Sequence, residues 1–171
     1  EFDNEQINAV IKVLNSGKVN SWTGNQTKSF ENEYSKWSNS KYSIALANGS
    51  LALSSAYLAS GIKKDDEVIT SPRTFLATAS SIALLKAIPI FADVDINSGN
   101  ITAETIEPLI NKKTKAISVV HLGGWPADMI KICDLAKSYN LKVIEDCAQA
   151  HGASINNRTV GSVSYTHLRA H

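Results

Sequence analysis

Asp146 ends the run Leu141-Lys142-Val143-Ile144-Glu145-Asp146. A carboxylate held at the end of a strand could keep a pyridine nitrogen protonated. The protonated ring is a better electron sink, and an Asp partner is the usual device of pyridoxal enzymes. The same residue could simply cap the next turn. Asn48-Gly49-Ser50 leads from an apolar run into a helix. Gly49 lets the backbone come close to a ligand, and Ser50 offers a hydroxyl beside the free N–H groups of a helix start, an arrangement suited to an anion. A plain serine N-cap accounts for the same residues. Phe75, after Pro72, could stack on a flat heterocycle or fill a core. Gln149 could donate to a phenolate-type oxygen or be a surface amide. His121 closes another apolar run and could do acid–base work or be a hydrogen-bonded structural histidine; His151 is less informative. Gly123-Gly124 lacks the spacing of a dinucleotide fingerprint, and no Walker lysine motif, nucleophile elbow or zinc pattern occurs. Cys133 and Cys147 have no metal-ligand spacing, so no metal is expected, and a reduced, cytoplasmic compartment fits them.

These residues need elements to hold them. Ile7, Val10, Ile11 and Leu14 form one apolar stripe, so a helix runs from a cap at Asp3 to about Asn15. A second helix carries Phe30, Tyr34 and Trp37 on one side, and a short strand is expected around Tyr42 to Leu46. Ser50 starts an apolar helix that ends at Gly61. Strands are then expected at Glu67 to Thr70, Ile88 to Phe91, Ala116 to His121 and Leu141 to Ile144. Helices are expected at Thr74 to Lys86, Thr102 to Ile110 and Ala127 to Tyr139. This alternation is the signature of a three-layer α/β/α domain with a mainly parallel sheet. Ligands of such sheets bind beyond the carboxyl ends of the strands, which is where all the candidates fall.

The chain has 171 residues, 43% of them apolar and 19% charged, with 17 basic and 16 acidic side chains for a net charge of +1. That length suffices for one domain with a sizeable core. The balance of charge gives no argument for nucleic acid or a membrane surface, and no apolar run approaches the ~20 residues of a span. The start, Glu1-Phe2-Asp3-Asn4, is polar and not a signal peptide. Its lack of an initiator Met suggests a chain cut at the front. Residues 164–171, Ser-Tyr-Thr-His-Leu-Arg-Ala-His, have no clear periodicity and resemble translated adaptor sequence. They are read as a non-native tail, with the native domain ending near residue 163.

Taken in order, the segments resemble the DegT/DnrJ/EryC1/StrS family of sugar aminotransferases. The matching text is residues 47–53 (Ala-Asn-Gly-Ser-Leu-Ala-Leu), 61–70, 74–78, 90–95, 114–117, 120–124 and 143–152 (Val-Ile-Glu-Asp-Cys-Ala-Gln-Ala-His-Gly). The resemblance implies the large domain of a fold-type I pyridoxal-phosphate enzyme, truncated, with the small C-terminal domain absent. It implies a homodimer that transfers an amino group, from glutamate, to a nucleotide-linked keto sugar in glycan or antibiotic-sugar synthesis. By the same resemblance Gly49 and Ser50 bind the cofactor phosphate, Phe75 stacks on the pyridine ring, Asp146 pairs with the ring nitrogen and Gln149 contacts the ring oxygen. The lysine that carries the cofactor is expected beyond the chain, which should leave the chain inactive. The family's dehydratases, with His in place of that lysine, and a non-catalytic regulatory or binding protein on the same fold are the alternatives. Two departures stand out: Asn48 replaces a Ser or Ala, and Asp65 replaces the glycine of a Gly-Asp-Glu-Val turn.

Overall fold

Asp3 caps the first helix with its side chain. In the computed structural model, which describes residues 1–161 and 168–170, α1 spans Asn4–Asn15. Asp3 Oδ1 accepts from the Gln6 N–H at 2.8 Å, while Gln6 Oε1 accepts from the Asp3 N–H at 3.0 Å. This reciprocal capping box satisfies two otherwise orphaned donors. α2 spans Gln26–Trp37 and stacks Phe30, Tyr34 and Trp37 along one side, with ring centroids 5.6 and 5.1 Å apart. Contacts divide the chain into two units, Glu1–Ala45 and Leu46–His171, and α1 and α2 belong to the first. The strand expected at residues 42–46 does not form. A strand needs a neighbour's backbone, and here the Ala45 N–H is taken by the Glu31 carboxylate at 2.8 Å.

The second unit holds the α/β layers. α3 spans Gly49–Ala59, β1 Glu67–Thr70, α4 Leu76–Leu84, β2 Ile88–Phe91, α5 Ala103–Ile106, β3 Thr114–Val120, α6 Met129–Ser138 and β4 Lys142–Asp146. Neighbouring strand residues face opposite sides. Val68, Ala116 and Ile144 accordingly join one core with Leu53, Tyr57, Ala77 and Ile82 from α3 and α4. Ile69, Ile117, Val119 and Val143 join a second core with Ile106, Met129, Ile132 and Ala136 from α5 and α6. Helices thus cover both faces of a parallel sheet ordered β2-β1-β3-β4, with a fifth strand outside β4.

That fifth strand is the tail. After the two-residue hairpin strands β5 (Ser154–Ile155) and β6 (Arg158–Thr159), β7 (Leu168–Ala170) pairs in parallel with residues 144–146 of β4. Ladder pairing uses only backbone N–H and C=O groups, so it is open to a segment without apolar periodicity. The rest of the expected tail, residues 164–167 and 171, lies outside the described residues. The helix expected over 102–110 is an α-turn followed by a 3₁₀ turn at Glu107–Leu109, because Pro108 supplies no N–H to continue the α ladder.

The strand order places the reversal of chain direction across the sheet between β1 and β3. From β1 the chain passes through α4 to β2 on one side. It then crosses to β3 on the other side of β1 and continues through α6 to β4. At such a switch point the loops leave in opposite directions and open a crevice beyond the carboxyl ends.

Candidate functional site

A cleft of about 360 Å³ lies at that crevice. Its lining comes from the start of α3 (Asn48, Gly49, Ser50), the β1–α4 loop (Thr74, Phe75), the end of β3 (Val120) and the end of β4 with the turn behind it (Asp146, Ala148, Gln149). All five residues singled out for cofactor contact from the sequence, Gly49, Ser50, Phe75, Asp146 and Gln149, line this one cleft. A larger cleft of about 440 Å³, lined by Asn100, Trp125, Lys131 and Asn156 among others, contains none of them. Its lysine ammonium is already matched by Glu104 at 3.6 Å and Asp128 at 3.8 Å.

Local chemistry fixes each group. Asn48, not Ser50, caps α3: its backbone is extended and its Oδ1 accepts from the Leu51 N–H at 3.0 Å. Ser50 therefore stands inside the first turn. The N–H groups of Gly49 and Ser50, at the first two helical positions, have no intrahelical acceptor. Phe75 precedes α4 and is 70% exposed, so it is not a core residue. Gln149 is oriented by Gly123, whose N–H donates to its Oε1 at 2.7 Å. The carboxamide oxygen being used, the NH₂ end is the one left to donate. Gly123 and Gly124 hold left-handed conformations, φ 60° and 83°, and a Cβ on Gly124 would lie 3.1 Å from the Gln149 carbonyl oxygen. The close approach favours glycine at 124, and the left-handed backbone favours it at both positions.

Asp146 is 6% exposed. Its Oδ1 accepts from the Ala148 N–H at 3.1 Å and its Oδ2 from the Thr78 hydroxyl at 3.2 Å. Among the described residues no ion pair involves it. A buried carboxylate facing a cleft without a cationic partner is suited to a ligand that brings one, such as a ring N–H⁺. Beneath it, the Tyr57 hydroxyl and Ser118 Oγ lie 2.7 Å apart. Burial pushes the Tyr57 phenol well above its ordinary range; the Ser118 hydrogen bond opposes this, and the Asp146 charge adds to it.

His121 is fully buried and does not line the cleft. Its Nδ1 accepts from the Ala127 N–H at 3.1 Å, and its Nε2 lies 3.2 Å from Glu145 Oε2, which also accepts from the Gly161 N–H at 2.7 Å. A neutral imidazole with an acceptor Nδ1 carries its proton on Nε2. His121 thus donates to Glu145 and ties the end of β3 to β4. Cys147 completes a buried triad whose ligand atoms lie within 4.8 Å of one another. That tautomer leaves Nε2 no lone pair for a metal, because a metal-bound histidine donates its other N–H outward. Burial, then the charges of Glu145 and Asp134, push the neighbouring Cys133 thiol up to about 11.

Thr78, Gly123 and Glu145 have no role in the site on the sequence reading. Thr78 follows Thr74 by four residues, a spacing that stacks two hydroxyls on one side of a helix start. The other two carry no comparable signal, because their partners lie 26 and 24 residues away.

A doubly wound parallel sheet with a cleft at its switch point, one wall of it the start of a helix, defines an α/β protein of the open-sheet class. The chain belongs to the DegT/DnrJ/EryC1/StrS aminotransferase family, whose sequence model matches residues 1–168, and the fold is that of the large domain of fold-type I aminotransferases. It is 43% identical over 164 residues to dTDP-3-amino-3,6-dideoxy-alpha-D-galactopyranose transaminase of Aneurinibacillus thermoaerophilus, covering 95% of this chain and 44% of that protein. It superposes on the aminotransferase from Psychrobacter cryohalolentis with a TM-score of 0.92 and 51% identity, covering 94% of this chain and 41% of that one. For ntda from Bacillus subtilis with bound cofactor PMP, the TM-score is 0.85 and the identity 34%, covering 90% and 36%. The chain thus spans less than half the length of these relatives.

Proposed function

We propose that this chain forms the cofactor-holding part of a pyridoxal-phosphate enzyme that moves an amino group, from glutamate, to a keto group on a nucleotide-linked sugar. The observation that carries the reading is the convergence of Gly49, Ser50, Phe75, Asp146 and Gln149 on one cleft at the switch point. The sugar-nucleotide substrate rests on the relative that is a transaminase of a dTDP-linked sugar, and the cofactor on the relative with PMP bound.

The residues present fit that group. Gly49 and Ser50 offer N–H donors and a hydroxyl for a phosphate. The exposed Phe75 ring offers a stacking face, the Gln149 NH₂ a donor for a ring oxygen, and Asp146 an unpaired carboxylate for a protonated ring nitrogen. When bound, the group supplies an electron sink for the carbanion of amino transfer. The protein's part is to orient the ring, to keep the proton on its nitrogen opposite Asp146, and to hold the phosphate at α3. No lysine of the chain is assigned to carry the cofactor, and the chain by itself is proposed to be inactive. The intact enzyme is proposed to be a cytoplasmic homodimer; no helix among the described residues is long and apolar enough to cross a membrane.

Pyridoxamine phosphate is the informative probe, because it has no aldehyde to react with surface lysines. A charge-assisted hydrogen bond contributes about 1.5–3 kcal/mol and a stacked ring roughly 0.5–1.5 kcal/mol. After association costs the expected affinity is about millimolar. Titration followed by NMR should show saturable binding that weakens at least about tenfold in Asp146→Ala. Equal binding by parent and variant would remove the role assigned to Asp146.

A further inference from the structure

The carboxylate at the end of β4 does not stand alone. Its Oδ2 is held by Thr78, a fully buried residue of the first turn of α4. Thr78 Oγ1 in turn lies 2.9 Å from Thr74 Oγ1, one residue before Phe75. A hydroxyl has one proton. An ionised carboxylate only accepts, so the Thr78 proton goes to Asp146, and the bond between the two threonines must then run from Thr74 to Thr78. The order is Thr74 O–H to Thr78 O–H to Asp146. Resting on the reading above, we propose that Thr78 is a positioning residue for Asp146. It fixes the carboxylate plane so that a lone pair meets the ring nitrogen of a bound pyridine, and Thr74 sets the direction of the relay.

The geometry favours this over a hydroxyl that merely fills a polar gap. Asp146 is held on both oxygens, by the Ala148 N–H and by Thr78. These two donors come from different segments, the turn behind β4 and the start of α4, so rotation of the carboxylate breaks at least one of them. A carboxylate has about four lone-pair sites, so two remain for a ligand. The relay also joins the loop that carries Phe75, which faces the ring, to the residue that meets its nitrogen. Helix α4 therefore places both contacts from one rigid start, the arrangement that keeps a site aligned.

The test uses the 171-residue chain, with pyridoxamine phosphate and its 1-deaza analogue, in which carbon replaces the ring nitrogen, as probes. Thr78→Val removes the hydroxyl at nearly constant volume and should weaken pyridoxamine phosphate about tenfold. Thr78→Ser keeps the donor and should stay within about twofold of the parent. The deaza analogue makes no bond to Asp146, so parent and Thr78→Val should bind it equally. Equal affinity of parent and Thr78→Val for pyridoxamine phosphate overturns the inference. So does an equal loss for both probes, the mark of a merely structural role. If Thr78→Val does not fold, Thr74→Val decides, since it breaks the relay from the partly exposed end. A loss of about two- to threefold confined to pyridoxamine phosphate supports the relay, and no loss or a loss shared by both probes refutes it. A parent chain that binds neither probe refutes the cofactor reading itself, and this inference with it.

Discussion

Residue by residue, the site divides into groups that face the cleft and groups that hold them. The first kind could be nominated: Asp146, Gln149, Phe75 and the Gly49-Ser50 pair stand after apolar runs or at helix starts, where each also has a plain structural reading, and it is the family resemblance that sets them in one site. The second kind could not. Glu145 reads as an ordinary charged residue, yet it is fully buried and accepts from both His121 Nε2 and the Gly161 N–H. Only the fold brings those donors to it. Glu145→Ala would strand two buried donors, each at about 1–3 kcal/mol, so a loss of about 2 kcal/mol or more is expected in urea unfolding. Glu104 makes the useful contrast. Its side chain is 68% exposed and pairs with Lys131 at 3.6 Å, and Glu104→Ala should change stability by at most about 0.5 kcal/mol. Similar costs for the two variants would show that the Glu145 clamp contributes nothing special. His121, which the sequence left open between acid–base work and structure, has both ring nitrogens committed within the protein. Its chemistry is that of a tie between two strand ends.

At the scale of elements, period and punctuation sufficed where they agreed. Asp3 and Thr102 both cap as their positions suggest, and β2 spans the four residues expected for it. The errors have local causes: Pro108 cuts a helix short, and the expected strand near Tyr42 finds no partner. The turn before β1 carries a constraint that the sequence shows only by comparison. The family resemblance sets Asp65 against the glycine of a Gly-Asp-Glu-Val turn, and its φ is 68°. The left-handed conformation is free to glycine and costs other residues energy, Asp less than most. The Asp65 N–H is needed there, donating to the Lys86 carbonyl at 2.9 Å, so the turn cannot simply relax. Asp65→Gly relieves the strain but gains chain entropy in the unfolded state. Because Asp65 is exposed and its contact with Lys64, at 3.9 Å, is weak, relief of strain should win by about 0.5 kcal/mol. A higher urea midpoint with an unchanged slope is the expected result, and a lower midpoint would mean that the strain at Asp65 is smaller than the entropy glycine gives the unfolded chain.

For the molecule as a whole, the notable quantity is the apolar surface that the chain leaves in water. The stripe that marks α1 as a helix is exposed: Ile7 is 46% exposed, Val10 60%, Ile11 46% and Leu14 61%. Trp22 is 92% exposed, Leu76 and Leu84 are 75% each, and Ile96 is 93%. Scattered exposed apolar residues are ordinary, but a contiguous stripe on one helix marks a surface that associates. An amphipathic helix gains its stability chiefly by burying that face. The capping box of Asp3 and Gln6 adds only about 1 kcal/mol, too little to hold a twelve-residue helix alone. The chain is therefore expected to self-associate at micromolar concentration and to bind a hydrophobic dye, through α1 foremost. Val10→Lys with Leu14→Lys puts two charges on the stripe at i and i+4 while leaving both cores of the second unit untouched. The double variant should sediment nearer the monomer mass of 18.5 kDa and bind less dye. Its main unfolding transition, which reports the α/β layers, should stay where it is in the parent. Unchanged sedimentation would place the association elsewhere, on the exposed leucines of α4 first of all. A main transition lowered along with the association would instead mean that the α1 stripe contributes to the stability of the α/β layers.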